Sequence, residues 1–240
     1  MSLEKFSNKG KQYAKGRPGY PIEAIDYIKT LAKDAIIVGD IGAGTGKFTE
    51  LLAQAGYDVF AVEPNADMYE QLKLTHKEYP NVKFVLATSE ETQLADDSVD
   101  IITVAQALHW FDLEKFKAEC KRILRPGGWV IALYNEVSYN NNIVLCDEEK
   151  KDVKVQAKQR KNFAHLEFFD NPVMKEFATT ITYTKETWIA YMLSHSHSPL
   201  PSDKSYNEYI EKVNAIFDCE SSGNQLHREI VTTIYAEQLT

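Results

Sequence analysis

The chain has 240 residues, of which 44% are hydrophobic and 26% are charged, and these values suit a single domain with one well-packed core. Its formal net charge of −8 argues against a general nucleic-acid-binding protein, because such proteins carry strongly basic surfaces. The three cysteines form no CxxC pair, and no apolar run approaches the length of a membrane span or forms a signal region. We therefore expect a cytoplasmic protein that contacts neither nucleic acid nor membrane, and the sequence leaves its oligomeric state open.

Residues 21–135 alternate helix and strand signals, and this alternation predicts a mostly parallel α/β sheet covered on both faces. Apolar residues at helical spacing predict helices around residues 22–31, 48–55, 66–72 and 113–124. Short apolar runs predict buried strands at residues 36–41, 59–62, 82–86, 99–104 and 129–133. We expect the Pro126-Gly127-Gly128 segment to form the turn that precedes the fifth of these strands.

The pattern changes after Tyr134. Residues 137–175 are polar and lack strand periodicity, so we expect a helical insertion there. A strand is predicted at residues 178–183 and helices at 188–193 and 206–217. The β-formers of residues 229–235 predict a last strand that closes the sheet.

The first strand runs into a glycine-rich turn, with Asp40 at its end and Gly42, Gly44 and Gly46 at every second position after it. Glycines at such a turn let the backbone reverse tightly and let a ligand approach the bare main chain. The dinucleotide fingerprint needs its third glycine where this chain has Lys47, and no phosphate-binding P-loop is present. The turn therefore predicts a nucleotide-like cofactor of another class, with a negative charge beside it.

This D-x-G-x-G-x-G segment resembles the first motif of class I S-adenosylmethionine-dependent methyltransferases. The family resemblance also covers the segment Ile123–Gly128, whose position before the fifth strand matches a fixed turn of the family. It implies a Rossmann-like, seven-stranded, mostly parallel sheet whose last strand is antiparallel, together with a small helical cap. In one domain spanning residues 1–240, residues 21–135 would form the cofactor-binding core, 136–175 the cap insertion and 176–240 the rest of the sheet.

Glu63 ends the second predicted strand, 21 residues after Gly42. Ligands of open α/β sheets bind beyond the carboxyl ends of the strands, where a carboxylate accepts hydrogen bonds from both ribose hydroxyls. The same acid would serve a nicotinamide cofactor, so Glu63 by itself does not separate a methyltransferase from a dehydrogenase.

The resemblance implies further cofactor contacts. Gly42, Ala43, Gly44 and Gly46 would offer the backbone surface, and Asp40 would face the ammonium of the methionine part. Beyond the third strand, Ser89 and Glu90 would border the adenine, although Thr88 replaces the acid usual in the family. Met68 on the helix after Glu63, and Gln106 after the fourth strand, complete the predicted cofactor site.

The segment Gln106–Phe111 follows the fourth strand, where the family places the reaction centre. His109 would accept a proton from the acceptor, since an unperturbed imidazole titrates near neutrality; the alternative is that it only lines the pocket. Trp110, Tyr134 and Asn135 are the predicted substrate contacts. No metal site is predicted.

The N-terminal segment from Tyr13 to Pro21 is similar to a Tyr…Arg-Pro…Tyr-Pro segment found in the branch that includes trans-aconitate-type methyltransferases. The resemblance implies that it folds over the cofactor, with Arg17 on the methionine carboxylate and Tyr13 or Tyr20 shielding the site. The expected activity is methyl transfer from S-adenosylmethionine to a small-molecule acceptor. Two alternatives stay open: a noncatalytic protein that binds S-adenosylmethionine, and a nicotinamide-dependent oxidoreductase.

Overall fold

The computed structural model describes residues 15–137, 164–195 and 198–239. Tyr13 and most of the predicted cap insertion lie outside the described residues. The described chain begins with helix α1 (Ile22–Leu31), strand β1 (Ile37–Ile41), helix α2 (Lys47–Gln54), strand β2 (Asp58–Val62), helix α3 (Ala66–His76) and strand β3 (Val82–Val85). Strand β4 (Val99–Ala105), a 3₁₀ turn (Leu108–Trp110), helix α4 (Leu113–Ile123) and strand β5 (Leu124–Val137) follow. The last part contains α5 (Ala164–Phe168), β6 (Val173–Tyr183), α6 (Lys185–Leu193), α7 (Tyr206–Glu220) and β7 (Leu226–Gln238).

The seven described strands form one sheet in the order β3-β2-β1-β4-β5-β7-β6. The five strands from β3 to β5 pair in parallel, and β7 inserts antiparallel between β5 and β6. The fold predicted from the sequence is therefore confirmed, including the reversal of the last strand. Strand order changes direction at β1 and β4, which is where open α/β sheets bind ligands.

Each face of the sheet packs a separate hydrophobic core. Ile102, Val104 and Ala132 point to one face, where they pack with Phe116 and Phe168 of helices α4 and α5. Their sequence neighbours, among them Ile101, Ile131 and Leu133, point to the other face and pack with α1 and α2. This two-sided burial explains why these strands are continuously apolar in the sequence.

Helix ends follow local capping signals. Asn65 caps α3 by accepting a hydrogen bond from the Met68 N–H at 3.1 Å, as its position before that helix predicts. Asp112 caps α4 in the same way, through the Lys115 N–H at 3.3 Å. These caps fix the residue at which each helix begins, beside the carboxyl edge of the sheet.

The segment Pro126-Gly127-Gly128 differs from the prediction. It lies within β5, because Leu124 already pairs with Val99, and an irregularity follows before Trp129 pairs with Ile101. A Cβ on Gly128 would lie 2.9 Å from the Asp100 carbonyl oxygen, so the residue is a close approach inside a bulged strand. The predicted turn is thus a strand bulge.

The strands after this point are longer than predicted. Glu136 and Val137 belong to β5, and β6 already begins at Val173, so both ends of the predicted cap insertion are sheet. β7 extends to Leu226 and pairs with β6 over eleven residues. The first four residues of β6 are all exposed, so alternating burial begins only at Phe177, next to the predicted start of the strand at residue 178.

Helices α6 and α7 pack on the end of this β6–β7 pair. Their own small core contains Trp188, Met192, Ile216, Phe217 and Tyr183. None of the helices in the described ranges is both long and apolar enough to cross a bilayer. The same residues contain no group of three or more His, Cys, Asp or Glu side chains placed to hold a metal ion.

Candidate active site

The glycine turn lies where β1 ends, and all three of its glycines adopt positive φ. The values are 72° at Gly42, 59° at Gly44 and 88° at Gly46, a region that residues with a Cβ rarely adopt. The N–H groups of Gly42 and Ala43 both donate to the Val62 carbonyl, at 2.9 and 3.0 Å. The turn is therefore fastened to the end of β2, and its half-exposed main chain faces the carboxyl edge of the sheet.

Asp40 is buried beneath this turn, with 1% of its surface exposed. Its two carboxylate oxygens accept hydrogen bonds from Thr49 on α2 at 2.6 Å and from Thr103 on β4 at 2.9 Å. Burial raises the pKa of Asp40 to about 6, against the opposing effect of these two hydroxyl donors. The carboxylate joins β1, α2 and β4, and its predicted contact with the cofactor ammonium stays a prediction.

Glu63 lies at the end of β2 and is also buried, with 6% exposed. One oxygen accepts the N–H of Gly44 and the other the N–H of Asn65, each at 2.8 Å. Burial is the main cause that raises the pKa of Glu63 to about 7; the charge of Asp40 adds to it and the two N–H donors oppose it. No cation in the described part of the chain perturbs this pKa. Each oxygen keeps a second lone pair, which suits a ligand with neighbouring hydroxyl groups.

The residues predicted for the adenine lie across the same edge. Ser89 is buried after β3, with 3% exposed, and Met68 is buried on the first turn of α3. Glu90 accepts the N–H of Asp112 at 3.0 Å, which ties the loop after β3 to the start of α4. The structure thus brings these predicted residues to one edge, and their contact with adenine stays a prediction.

Gln106 follows β4 with φ of 59°, an uncommon conformation for a residue other than glycine. Its backbone N–H donates to Leu133 O at 2.8 Å, and its side-chain amide donates to Asn135 O at 2.7 Å. These two hydrogen bonds connect the ends of β4 and β5 at the switch in strand order. A residue in such an uncommon conformation is held by its surrounding contacts, and residues of this kind cluster at functional sites.

Asn135 uses both ends of its side-chain amide within the protein. Its NH₂ group donates to Gly19 O at 3.0 Å, and its carbonyl oxygen accepts from Thr232 of β7 at 2.6 Å. The residue fastens the N-terminal segment to the sheet and forms a pocket wall. Its predicted role in substrate contact stays a prediction.

His109 lies on the 3₁₀ turn after β4, half-buried between aromatic rings. Its ring centroid lies 5.0 Å from that of Trp110 and 6.4 Å from that of Tyr134. Burial, and then the positive charge of Arg17, lower the pKa of His109 to about 4. At neutral pH the imidazole is uncharged, so it can accept a proton, as a weaker base than an exposed histidine.

Tyr134 connects this ring cluster to β7 and α5. Its ring lies 5.6 Å from His165 and 6.2 Å from Tyr235, and the last two rings stack at 4.2 Å. Its hydroxyl is buried and has no hydrogen-bond partner among the described residues. Burial raises the pKa of Tyr134 above its ordinary value, so this hydroxyl stays protonated and keeps a donor for a ligand.

The N-terminal segment lies between helix α6 and the carboxyl edge of the sheet. Gly16 lies so close to α6 that a Cβ would be 2.1 Å from the Tyr191 nitrogen, and Lys15 forms an ion pair with Glu186. The guanidinium carbon of Arg17 lies 5.7 Å from the centre of the Tyr191 ring. The segment therefore bridges α6 and the end of the sheet. Its folding over a cofactor stays a prediction, and Tyr13 lies outside the described residues.

Known proteins are similar to this chain both in fold and in the sequence around this edge. The sequence profile described as "Methyltransferase domain" matches residues 39–132, which include the glycine turn, Glu63, Gln106 and His109. These residues are therefore similar to a methyltransferase domain. The strand order and the reversed last strand give a Rossmann-like architecture.

Two relatives show how far the similarity extends. An uncharacterized methyltransferase of Mycobacterium tuberculosis is 42% identical over 135 residues, which are 56% of this chain and 53% of that protein. A putative methyltransferase of Dictyostelium discoideum is 38% identical over 143 residues, 58% of this chain and 52% of its own. The chain therefore spans about half the length of the curated relatives it matches.

A solved structure covers nearly the whole chain. The putative type II methyltransferase of Anaeromyxobacter dehalogenans superposes with a TM-score of 0.66 over 92% of this chain and 97% of its own, at 20% identity. This likeness supports the fold over nearly the whole chain. The narrower resemblance to trans-aconitate-type methyltransferases stays a prediction.

The geometry of the glycine turn is compatible with an adenosyl cofactor. A Cβ on Gly42 would lie 2.7 Å from the Ala107 Cβ and 3.1 Å from Phe111, so the turn has no room for a side chain. The bare backbone at Gly42–Gly44 and the buried Glu63 carboxylate stand side by side, joined by the Gly44 hydrogen bond. A bare peptide surface next to an acid with free lone pairs is what a ribose and an amino-acid tail require.

Sequence reasoning missed one basic residue at this edge. Lys47 begins α2 directly after Gly46, and in the sequence it indicates only that the turn is not a dinucleotide fingerprint. In the structure it lines a pocket of about 400 Å³, part of it open to solvent, together with Arg17, Tyr20, Gln106, Asn135 and Tyr191. Its position at a helix start, immediately after the last glycine of the turn, was the available signal.

Proposed function

We propose that the chain binds S-adenosylmethionine at the carboxyl edge of β1, β2 and β4 and transfers its methyl group to a small-molecule acceptor. The proposal rests on one observation. A hydrogen bond joins the glycine turn to Glu63 within the residues matched by the methyltransferase-domain profile. When bound, the cofactor supplies a methyl group activated by its sulfonium.

The residues of the chain provide binding and alignment. The main chain of Gly42–Gly44 takes the methionine part, with Asp40 beneath it and Arg17 at its carboxylate. Glu63 accepts hydrogen bonds from the ribose hydroxyls, because each of its oxygens has a lone pair left beyond its backbone donor. Ser89 and Glu90 border the adenine.

The reacting end lies between β4 and β5. The rings of His109, Trp110 and Tyr134 exclude water and fix the acceptor in line with the methyl group. His109, uncharged at neutral pH, takes a proton from the acceptor atom if that atom carries one. Gln106 holds the two strand ends at a constant separation through its hydrogen bond to Asn135.

Calorimetric titration with S-adenosylhomocysteine and with a nicotinamide dinucleotide tests the cofactor. We expect saturable binding of S-adenosylhomocysteine and none of the dinucleotide, and the reverse result would contradict the proposal. Formation of S-adenosylhomocysteine in the presence of a panel of small acceptors then tests transfer. Binding without turnover over a broad panel would favour a noncatalytic cofactor-binding protein.

A further inference from the structure

Two buried acids lie at neighbouring strand ends beneath the glycine turn. Asp40 of β1 pairs in the sheet with Ala61 of β2, which is two residues before Glu63. Both carboxyl groups are almost fully buried. Two ionised carboxylates in such a place repel each other, and burial deprives each of the water that would stabilise its charge. The neutral, protonated form is therefore favoured for at least one of them.

The four hydrogen bonds described above for these acids come from uncharged donors. The donors are the hydroxyls of Thr49 and Thr103 and the backbone N–H groups of Gly44 and Asn65. Within the described part of the chain, neither acid forms an ion pair. Hydroxyl and N–H donors favour a carboxylate less strongly than an adjacent cation does.

Other charged or imidazole side chains lie on the elements that surround this pair. They are Lys47 and Glu50 on α2, Asp67 and His76 on α3, Glu90 after β3, His109 after β4 and Arg17 in the N-terminal segment. None of these side chains shifts the pKa of Asp40 or of Glu63, and the one ionic effect on either acid is that of Asp40 on Glu63. The described chain thus supplies no cation that keeps the two acids ionised.

The proposed cofactor favours the ionised forms. An ionised carboxylate offers about four lone pairs, so Glu63 in that form can accept its two N–H donors and both ribose hydroxyls. A protonated carboxyl group cannot accept all four, because its proton occupies one of these positions. The ammonium of the cofactor favours the ionised form of Asp40 in the same way. In the free protein, burial raises the pKa of Glu63 to about 7 and that of Asp40 to about 6.

We propose that the free protein holds a proton on the pair formed by Asp40 and Glu63 and releases it to solvent when the adenosyl cofactor binds. This inference rests on the proposed function and adds to it a regulation of the same site by pH. The O–H bond of the Glu63 carboxyl group breaks, the proton passes to the buffer, and the carboxylate keeps the electron pair for the ribose hydroxyls. Affinity for the cofactor therefore falls as the pH drops below about 7.

Calorimetric titration in two buffers of equal pH and different ionisation enthalpy counts the protons released on binding. The first probe is 5′-methylthioadenosine, which has the adenine and ribose of the cofactor but no amino-acid tail, and therefore no group that titrates between pH 6 and 8. The second probe is S-adenosylhomocysteine, which adds the ammonium and the carboxylate. The variants are Glu63→Gln, which has no proton to release, and Glu78→Gln, the matched control on an exposed acid.

We expect 5′-methylthioadenosine to release about half a proton at pH 7 and about one at pH 6, because the pKa of Glu63 in the free protein is about 7. Its dissociation constant should rise about tenfold from pH 8 to pH 6. Glu63→Gln should release no proton, and Glu78→Gln as much as the wild-type protein. S-adenosylhomocysteine should release more than 5′-methylthioadenosine at pH 6, and Asp40→Asn should remove that excess.

A second measurement needs no variant. The infrared band of a protonated carboxyl group should be present in the free wild-type protein at pH 6 and should weaken when S-adenosylhomocysteine saturates the site. This readout decides the matter even where Glu63→Gln fails to fold or to bind, and a band that does not change on saturation contradicts the inference.

The calorimetry can also overturn the inference. Equal binding enthalpies in the two buffers at both pH 6 and pH 7 would do so, as would a proton release that persists in Glu63→Gln. In both cases saturable binding of S-adenosylhomocysteine still supports the proposed function. Failure of the wild-type protein to bind either probe is a separate result, which removes the proposed function together with the inference.

Discussion

The backbone N–H of Gly44 donates a 2.8 Å hydrogen bond to the Glu63 carboxylate, across the loops that follow β1 and β2. The same carboxylate accepts the N–H of Asn65, the residue that caps α3. One buried acid thus sets the glycine turn, the end of β2 and the start of α3 relative to one another. The predicted cofactor residues of two separate sequence motifs form a single unit.

Replacing Glu63 by alanine should weaken the binding of S-adenosylhomocysteine by ~1–3 kcal/mol, because charge-assisted contacts to the ribose are lost. Calorimetric titration measures the change. Glu78→Gln is the control, since Glu78 is 85% exposed at its side chain and lies after α3. An unchanged dissociation constant in Glu63→Ala would remove this residue from the site.

The stability of the free protein should fall as the pH rises towards 8. Glu63 has a folded-state pKa of about 7 against an ordinary 4.5, so the folded chain holds a proton that the unfolded chain releases. Stability from this group is fully present below pH 4.5 and is lost as the pH rises through about 7, by ~3 kcal/mol in all, of which ~1 kcal/mol is lost above pH 6.5. Asp40, with a pKa of about 6, acts in the same direction at lower pH.

His109 opposes this trend below pH 6.5, because its pKa is lowered on folding, so the informative range begins above 6.5. Urea denaturation at pH 6.5, 7.2 and 8 measures the slope, and Glu63→Gln should flatten it. The pH dependence of stability is compared rather than stability itself, because Glu63→Gln also loses an acceptor for a backbone N–H. Equal slopes in both proteins would show that Glu63 ionises normally.

His109 should titrate well below the ordinary histidine pKa of 6.5. Its pKa of about 4 arises first from burial and then from the Arg17 charge. Arg17→Gln should therefore raise the pKa of His109, which NMR of the ring Cε1–H measures after assignment with His109→Asn. Arg125→Gln, at the Asp100 ion pair on the opposite edge of the sheet, should leave it unchanged. Titration of His109 near 6.5 would contradict the burial described here.

Gly46→Ala should destabilise the fold more than Gly56→Ala. Both residues have positive φ, so each variant pays ~1–2 kcal/mol for the left-handed conformation. A Cβ on Gly46 would also lie 2.3 Å from the ring of His76, whereas nothing lies within 4 Å of one on Gly56. The extra overpacking should add ~1–3 kcal/mol in denaturant titrations. Equal losses would mean that His76 moves away at no cost.

Gly16→Ala should release the N-terminal segment from α6, because its Cβ would collide with the backbone at Tyr191. Hydrogen exchange at residues 17–20 should accelerate, and the affinity for S-adenosylhomocysteine should fall if Arg17 holds its carboxylate. Gly19→Ala is the matched control, since a Cβ there meets nothing within 4 Å. Unchanged exchange in Gly16→Ala would show that the segment accommodates the methyl group.

The glycine turn, Glu63 and the parallel core were predictable because each depends on local spacing. An apolar run, a set of glycines and an acid at a strand end mark a strand-turn-helix unit wherever they occur. The strand lengths beyond residue 135 were less predictable. The first four residues of β6 are all exposed, so the alternation that marks a half-buried strand begins only at Phe177.

The class of fold and the kind of cofactor turn can be predicted from residue order alone, since both follow from periodicity and from glycine's freedom at positive φ. Which side chains share a pocket depends instead on how distant segments pack. Lys47 and Arg17 are thirty positions apart, and they line one pocket because α6 and Asn135 hold the N-terminal segment in place. Such proximity is a distance through space that no spacing along the chain encodes.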